Sequence, residues 1–349
     1  MHDDSPGRIR LSVDEARGLS LRALCAIGYG EADATILAEH MLDAALCGYE
    51  YSGLPKILNV AEQLQRRPRP VPLRVLHETP VSARLDGGGE TGMLTLHKAT
   101  DIAIDKAGAH GFAVVGVNRT WMSGRGSFYV ERLASAGLIG IHTVSSRMQV
   151  APPGGRKASM GTNPIAFGFP TEGAPLLIDL GTSALMFTDL ALRVRRGEAL
   201  PDGVAIDAEG RPTTDPLLAS LGAVLPFGGH KGFALALAMQ ALGVLAGSGD
   251  DADHSGYLLI AFKPDLLMPL ADYQRELQTS LQRVKDTPRQ PGVQEIRIPS
   301  ERSHRERERL RREGIVVDQA IVEALEALAT HPSPSMPAGA AWPPPAGRH

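Results

Sequence analysis

Cysteine is nearly missing: Cys25 and Cys47 are the only two in 349 residues. Two thiols cannot staple a chain of this size, so the fold must rest on a hydrophobic core, and the usage fits a reducing cytoplasm. Excess positive charge is missing as well. With 36 Lys and Arg against 39 Asp and Glu, the formal net charge is -3, which argues against nucleic acid as the main partner. The most apolar helix-like stretch, 233 to 246, is interrupted by Gln240 and falls short of the roughly 20 residues that span a bilayer. It reads as a buried core helix, and no membrane partner is expected. Met1-His2-Asp3-Asp4 carries no basic and then apolar leader, so an exported protein is not expected. There is no internal repeat, no G-x-S-x-G elbow, and no zinc or haem spacing. His40 beside Glu39 and Asp43 reads as ordinary helix-surface chemistry, so no metal is expected.

What is present is a hydrophobic content of 43%, which excludes disorder throughout, and a length that suits about two compact domains. Ser12 followed by Glu15 is a capping-box signature, and Leu19, Leu21, Leu24, Ile36, Leu37, Met41 and Ala45 recur at helical spacing. Residues 12 to 65 therefore read as mostly helical. From about residue 79 the texture changes to short β-branched runs divided by Gly and Pro: 81–85, 112–117, 139–144, 165–169 and 176–180. Helical patterns at 94–109 and 127–136 alternate with them. A further strand at 257–262 is followed by a charged, helix-rich stretch to about 330. The economical arrangement is an α/β fold. Residues 71–230 form a sheet domain, and 8–70 plus 231–330 form a discontinuous helical domain. Six prolines lie between His331 and His349, and this tail is expected to be disordered.

Three glycine-rich segments invite a functional reading. Gly87-Gly88-Gly89-Glu90-Thr91-Gly92 satisfies G-x-G-x-x-G, but the next strand ends at Val117-Asn118 without the acidic residue that holds a ribose. A glycine-rich turn is the better reading. Ala151-Pro152-Pro153-Gly154-Gly155-Arg156-Lys157 offers amides and two cations, and is either a phosphate loop or a long basic hairpin. Pro226-Phe227-Gly228-Gly229-His230-Lys231-Gly232 precedes the apolar helix, so free amides, the helix dipole, an imidazole and an ammonium would converge there on an anion. The run from Glu301 to Glu313, with Glu301/Arg305 and Glu308/Arg312 four apart, reads as a solvated helix face or as the source of one arginine for a phosphate.

Four ordered blocks carry a family resemblance: Gly161-Thr162-Asn163-Pro164-Ile165, Ile178 to Ser183, Asp207 to Pro216, and Leu225 to Gly232. Together they resemble the type-2 malate/L-lactate dehydrogenases, from about residue 12 to 328. Gly154 to Lys157, the 225–232 phrase and Ile298-Pro299-Ser300 look closest to the cyclic ketimine reductases, which act on Δ1-pyrroline-2-carboxylate and Δ1-piperideine-2-carboxylate in proline and pipecolate metabolism. The resemblance implies a non-Rossmann nicotinamide-binding fold, a homodimer, and hydride transfer to the carbon beside a carboxylate. It places the cofactor, NADPH first and NADH second, on Asn118, Trp121, Ser123, Gly124, Thr162, Asn163, Asp179, Thr182, Ser183, His230 and Lys231, with Arg305 on the extra phosphate.

The departures from the family are as informative. Where relatives carry Ser-His-Gly, with His as proton donor, this chain has Tyr51-Ser52-Gly53. The arginine for the substrate carboxylate falls on Lys56, which keeps the charge but loses the bidentate fork. A cofactor-loop histidine falls on Trp121, and the acidic partner of the lost His falls on Asp189. The segment between Gly247 and Tyr257 looks shorter than in relatives. Ser52, Tyr51, Lys56 and Asp189 are therefore the expected catalytic set. Reduction of a cyclic 2-imino acid suits them better than reduction of a ketone, because a protonated imine needs an acid less. The alternatives are a 2-hydroxy-acid dehydrogenase and a non-catalytic nucleotide-binding relative.

Overall fold

The computed structural model describes residues 7–249 and 255–330; the expected disordered tail lies outside them. The chain opens with β1 (Arg8–Leu11), α1 (Val13–Ala26), α2 (Glu31–Leu46) and α3 (Pro55–Arg66). Next come β2 (Arg74–Thr79), β3 (Ser82–Asp86), α4 (Gly92–His110), β4 (Phe112–Asn118), α5 (Gly126–Ser135) and β5 (Ile139–Ser145). β6 (Ile165–Phe169), β7 (Leu176–Leu180), α6 (Phe187–Arg196), β8 (Ala205–Ile206), α7 (Pro216–Leu221) and β9 (Ala223–Val224) follow. The last elements are α8 (His230–Ala246), β10 (Gly256–Phe262), α9 (Leu270–Lys285), α10 (Glu301–Glu313), β11 (Ile315–Asp318) and α11 (Gln319–Thr330).

The capping box forms as read: the Ser12 hydroxyl accepts from the Glu15 amide while the Glu15 carboxylate accepts from the Ser12 amide at 2.8 Å. Two amides that α1 could not satisfy internally are thereby satisfied. Apolar residues of α1 to α3 share one core with Leu310, Ile315, Val317, Val322, Leu325 and Leu328 from the far end of the chain. β1 pairs antiparallel with β11, so the two termini build one helical unit, and the α/β fold with a discontinuous helical part is present. The terminal strands and β2 were not foreseen. Each is short or exposed, and its apolar pattern is too brief to stand out.

The sheet has seven strands in the order β2-β3-β4-β10-β5-β6-β7. Among the described residues its only parallel strand pair is β3 with β4, joined through α4. β10 lies at the centre, antiparallel to both β4 and β5, which corrects the expectation that residues 231–330 all belong with the helices. α4 and α5 cover one face, burying Val115, Val117, Tyr129, Leu133 and Leu259.

α8 crosses the opposite face. Ser145 and Gly256 both lie against Gly243, and Gly116 lies against Ala246. The buried residues of α8 are Gly232, Ala236, Met239, Gly243 and Ala246, one stripe at helical spacing. Leu237, Val244 and Leu245 are 48%, 57% and 66% exposed. The helix is thus not buried all round, as its composition suggested; it carries a second apolar face turned away from the sheet.

The Gly87–Gly92 segment is a tight turn between β3 and α4. The Gly87 amide donates to the Asn118 carbonyl at 2.8 Å and the Gly89 amide to the Arg119 carbonyl at 2.7 Å. At Gly88, with φ +66, a Cβ would meet the Val71 carbonyl oxygen at 2.0 Å. These glycines serve backbone packing and leave no room for a pyrophosphate.

Candidate active site

The β4–α5 loop, residues 119–125, runs along the seam between the helical unit and the sheet. Asn118 at the end of β4 donates to the Gly247 carbonyl at 2.9 Å, and its own side-chain oxygen has no partner among the described residues. Trp121, expected at the cofactor, is buried instead. Its indole packs in the helical core, donates to the Gly89 carbonyl at 2.9 Å, and lies under the Arg67 guanidinium. Ser123 accepts the Tyr129 hydroxyl at 2.5 Å through its carbonyl. Gly124 has φ +70. Asp179, at the end of β7, accepts from the Ser127 amide at 2.7 Å. Its carboxylate meets the first turn of α5, where the helix dipole favours a negative charge.

A second cluster gathers where β5 and β7 end and β6 begins, beside α8. Asn163 is fully buried, and its amide is consumed: its oxygen accepts from the Ser146 amide at 2.9 Å, and its nitrogen donates to Ala236 and Gln240 of α8. Its φ of +34 suits Asn better than most residues. The Thr182 amide and hydroxyl both donate to the Thr162 carbonyl, and Ser183 donates to the Leu185 carbonyl. A Cβ on Gly232 would lie 2.4 Å from the Phe227 carbonyl oxygen, so only glycine lets α8 start this close to the 226–228 turn. His230 and Lys231 stand exposed at that helix start.

Around this cluster Arg147, Arg156, Lys157, His230 and Lys231 are all exposed, and none has an ion-pair partner among the described residues. Uncompensated cations at a helix start suit a ligand carrying several negative charges. A dinucleotide diphosphate fits that donor set. His230 and Lys231 are the exposed groups that could hold it, whereas Thr182 is fully buried with its amide and hydroxyl both spent on the Thr162 carbonyl, and Asn163 acts as the strut that fixes α8 against β5.

Arg305 is elsewhere. It grips Glu295 with two hydrogen bonds, at 2.7 and 2.9 Å, and lines a cleft of about 310 Å³ with Pro175 and Leu176. Those residues begin β7, whereas the cluster leaves its other end, about 13 Å away by strand rise. The expected phosphate contact of Arg305 is therefore not supported.

Tyr51 and Ser52 are half-buried in a short 3-10 turn, Glu50–Ser52, and Lys56 sits in the first turn of α3. Glu50 binds Arg8, and Gly53 packs so tightly that a Cβ would lie 2.8 Å from that of Ala45. Asp189 is exposed on the first turn of α6, with its carboxyl pushed above the ordinary value by partial burial. What joins this side to the loop is Tyr49, whose ring lies 5.1 Å from the Arg125 guanidinium.

Sequence reading missed the groups that hold this seam. His40, taken for a helix-surface residue, is 1% exposed. Its Nε2 accepts from the Arg125 amide at 3.1 Å, and burial, aided by Arg125, pushes its pKa down to about 3. Arg125 pairs with Asp43 at 2.5 Å, Asp43 with Arg307 at 2.8 Å, and Arg307 with Glu131 at 2.6 Å. The available signal was the place of His40 on the same helical stripe as Leu37 and Ala44.

A nicotinamide-dependent oxidoreductase is the class of protein in which such a fold and site are found. The sequence profile of the malate/L-lactate dehydrogenase family matches residues 11–326, and the chain belongs to that family. It is 30% identical to an L-sulfolactate dehydrogenase of Methanothermobacter thermautotrophicus, over 92% of this chain and 96% of the relative. It is 32% identical to a Δ1-pyrroline-2-carboxylate/Δ1-piperideine-2-carboxylate reductase of Pseudomonas aeruginosa, over 92% and 99%. The sulfolactate dehydrogenase structure from Methanocaldococcus jannaschii superposes with a TM-score of 0.83 at 29% identity, covering 92% of this chain and 97% of that one. The chain is an oxidoreductase of keto or imino acids, and its family implies a nicotinamide cofactor.

Proposed function

We propose that this protein reduces a small cyclic 2-imino acid, Δ1-pyrroline-2-carboxylate or Δ1-piperideine-2-carboxylate, to proline or pipecolate, with NADPH as the preferred cofactor. The observation that carries the reading is position 52. The turn that leads into α3 presents a phenol and an alcohol, Tyr51 and Ser52, where an imidazole would serve as the acid. Imidazole is the side chain whose ordinary titration falls near neutral pH.

The bound nicotinamide supplies the hydride. A ketone taking that hydride develops negative charge on oxygen, and a general acid commonly contributes about 10²–10⁴-fold by quenching it. A protonated imine starts as a cation and ends as a neutral amine, so it needs no such donor. Lys56 provides a single positive charge for the substrate carboxylate. Ser52 and Tyr51 orient the ring, and Asp189, whose carboxyl is pushed above its ordinary value by burial, is the α6 group assigned to hold a proton. A malate- or lactate-type dehydrogenase is the second reading, favoured by the sulfolactate relative and requiring Tyr51 or a water as acid.

We further propose a homodimer. Val114, Ile260, Ile141, Phe167 and Ile178 are cross-strand partners in one row over five strands, on the face that α8 covers at one end only. All five are half-exposed, and α8 carries its own exposed apolar residues Leu237, Val244 and Leu245. A second copy of the chain is the simplest cover for so extended an apolar surface. Two free cysteines, one of them exposed, suit a reducing cytoplasm.

The test is a spectrophotometric panel with NADPH and NADH against the two cyclic imino acids, pyruvate and oxaloacetate. Imine reduction with NADPH is expected to exceed every keto-acid rate. Faster turnover of either keto acid refutes the preference, and nicotinamide binding without turnover of any substrate establishes a non-catalytic relative.

A further inference from the structure

The contact between α2 and the start of α5 is built from unusual parts. Gly124 has φ +70, and a Cβ there would sit 2.0 Å from His40 Nε2. The imidazole therefore lies directly against the backbone. Its Nε2 takes the Arg125 amide hydrogen at 3.1 Å, one residue before α5 begins and two before Ser127, whose amide is held by Asp179. Phe128 packs on the ring with 4.3 Å between centroids, and Tyr129 at 5.4 Å. The imidazole is thus fixed in place, and it fixes one backbone amide.

The Arg125 side chain ties the same point to two other elements. Its guanidinium pairs with Asp43 of α2 and lies over Tyr49, two residues ahead of Tyr51. The Arg302 guanidinium of α10 also lies 5.1 Å from the Tyr49 ring. One junction therefore joins the cofactor-side loop, the 49–52 turn and the two helices that brace them.

We propose that His40 and Arg125 are positioning residues: His40 holds the Gly124–Arg125 backbone in the conformation that presents the 118–124 loop to the cofactor, and Arg125 sets the substrate-side turn relative to that loop. This rests on the reading of the loop as cofactor-binding. The role of His40 is that of a fixed acceptor, since an imidazole whose Nε2 receives an amide hydrogen does so as the neutral ring. Neither residue exchanges a proton with the substrate.

The test compares His40→Leu, which keeps most of the volume but removes the acceptor, with His40→Gln, whose side-chain oxygen can accept the same amide hydrogen. In the cofactor-free protein, hydrogen exchange at the Arg125 amide is expected to accelerate at least tenfold in H40L and to stay within about threefold of wild type in H40Q. In the enzyme, H40L should raise the NADPH KM and Kd by about tenfold with kcat for the imino acid changed less than threefold, and H40Q should recover most of that loss. A residue that merely fills space would leave both variants alike. Unchanged Arg125 exchange in H40L overturns the positioning of the loop. Accelerated exchange with an unchanged NADPH Kd overturns its link to the cofactor, and wild-type protein that binds neither NADPH nor NADH overturns the reading of the site itself.

Discussion

Arg307→Met removes the centre of the charge relay that braces the seam. Arg307 makes two hydrogen bonds of 2.6 Å to Glu131 and a 2.8 Å ion pair to Asp43. The side chains are 13%, 19% and 16% exposed, so solvent screens them weakly. Met fills much of the stem volume, which confines the loss to charge. Breaking a buried pair by deleting one partner typically costs about 3–5 kcal/mol, and that is the loss expected at pH 7.5.

The sign of its pH dependence follows from Glu131. Burial alone pushes this carboxyl up, but the Arg307 hydrogen bonds outweigh it and hold it below its ordinary value. In wild type the pair therefore stabilises above the unfolded Glu value, and that contribution is lost as pH falls through the lower folded value. In the variant burial is opposed only by the charges of His304 and Arg125, so the folded value rises and the penalty is relieved as pH falls toward it. Asp43, already raised by burial, moves the same way. Urea unfolding followed by circular dichroism at pH 7.5 and pH 5 should show a gap that narrows at the lower pH. A loss below about 1 kcal/mol at pH 7.5, or an equal loss at both, refutes the reasoning.

Ser52→His returns an imidazole to the turn before α3; turnover of pyruvate or oxaloacetate should rise by about 100-fold, the low end of general acid catalysis, while imine turnover changes less than tenfold. An unchanged keto-acid rate would show that position 52 does not face the reacting carbon. Leu237→Glu combined with Leu245→Glu places two charges on the outer face of α8; if that face forms the proposed dimer, light scattering should find the wild type at twice the mass of the variant. A variant with the same mass in solution as wild type removes that face from the interface.

Local elements were legible because local chemistry fixes them. The capping box at Ser12, the strands at 165–169 and 176–180, and the glycine-rich turn at 87–92 all depend on neighbours within a few residues. The family blocks at 161–165 and 225–232 were legible by resemblance and not by local chemistry: about sixty positions separate them, and the folded chain brings them together through Thr182, which bonds Thr162 on one side and Phe227 on the other. Position 52, on which the functional reading turns, is likewise a matter of residue identity alone.

Tertiary structure decided what distant segments do to each other. No pattern in the sequence places β10 between β4 and β5, because strand order is set by how the sheet is covered and closed. α8 is apolar on every side, so composition could not say that only one stripe meets the sheet. Arg305 and Trp121 have types that suit a cofactor, yet one pairs with Glu295 and the other fills a core. His40 shows the reverse: a residue dismissed on spacing becomes a fixed acceptor because Arg125, 85 positions away, brings its amide to 3.1 Å. Charges and hydrogen bonds act over a few ångströms of space, and only the folded chain says which residues share them.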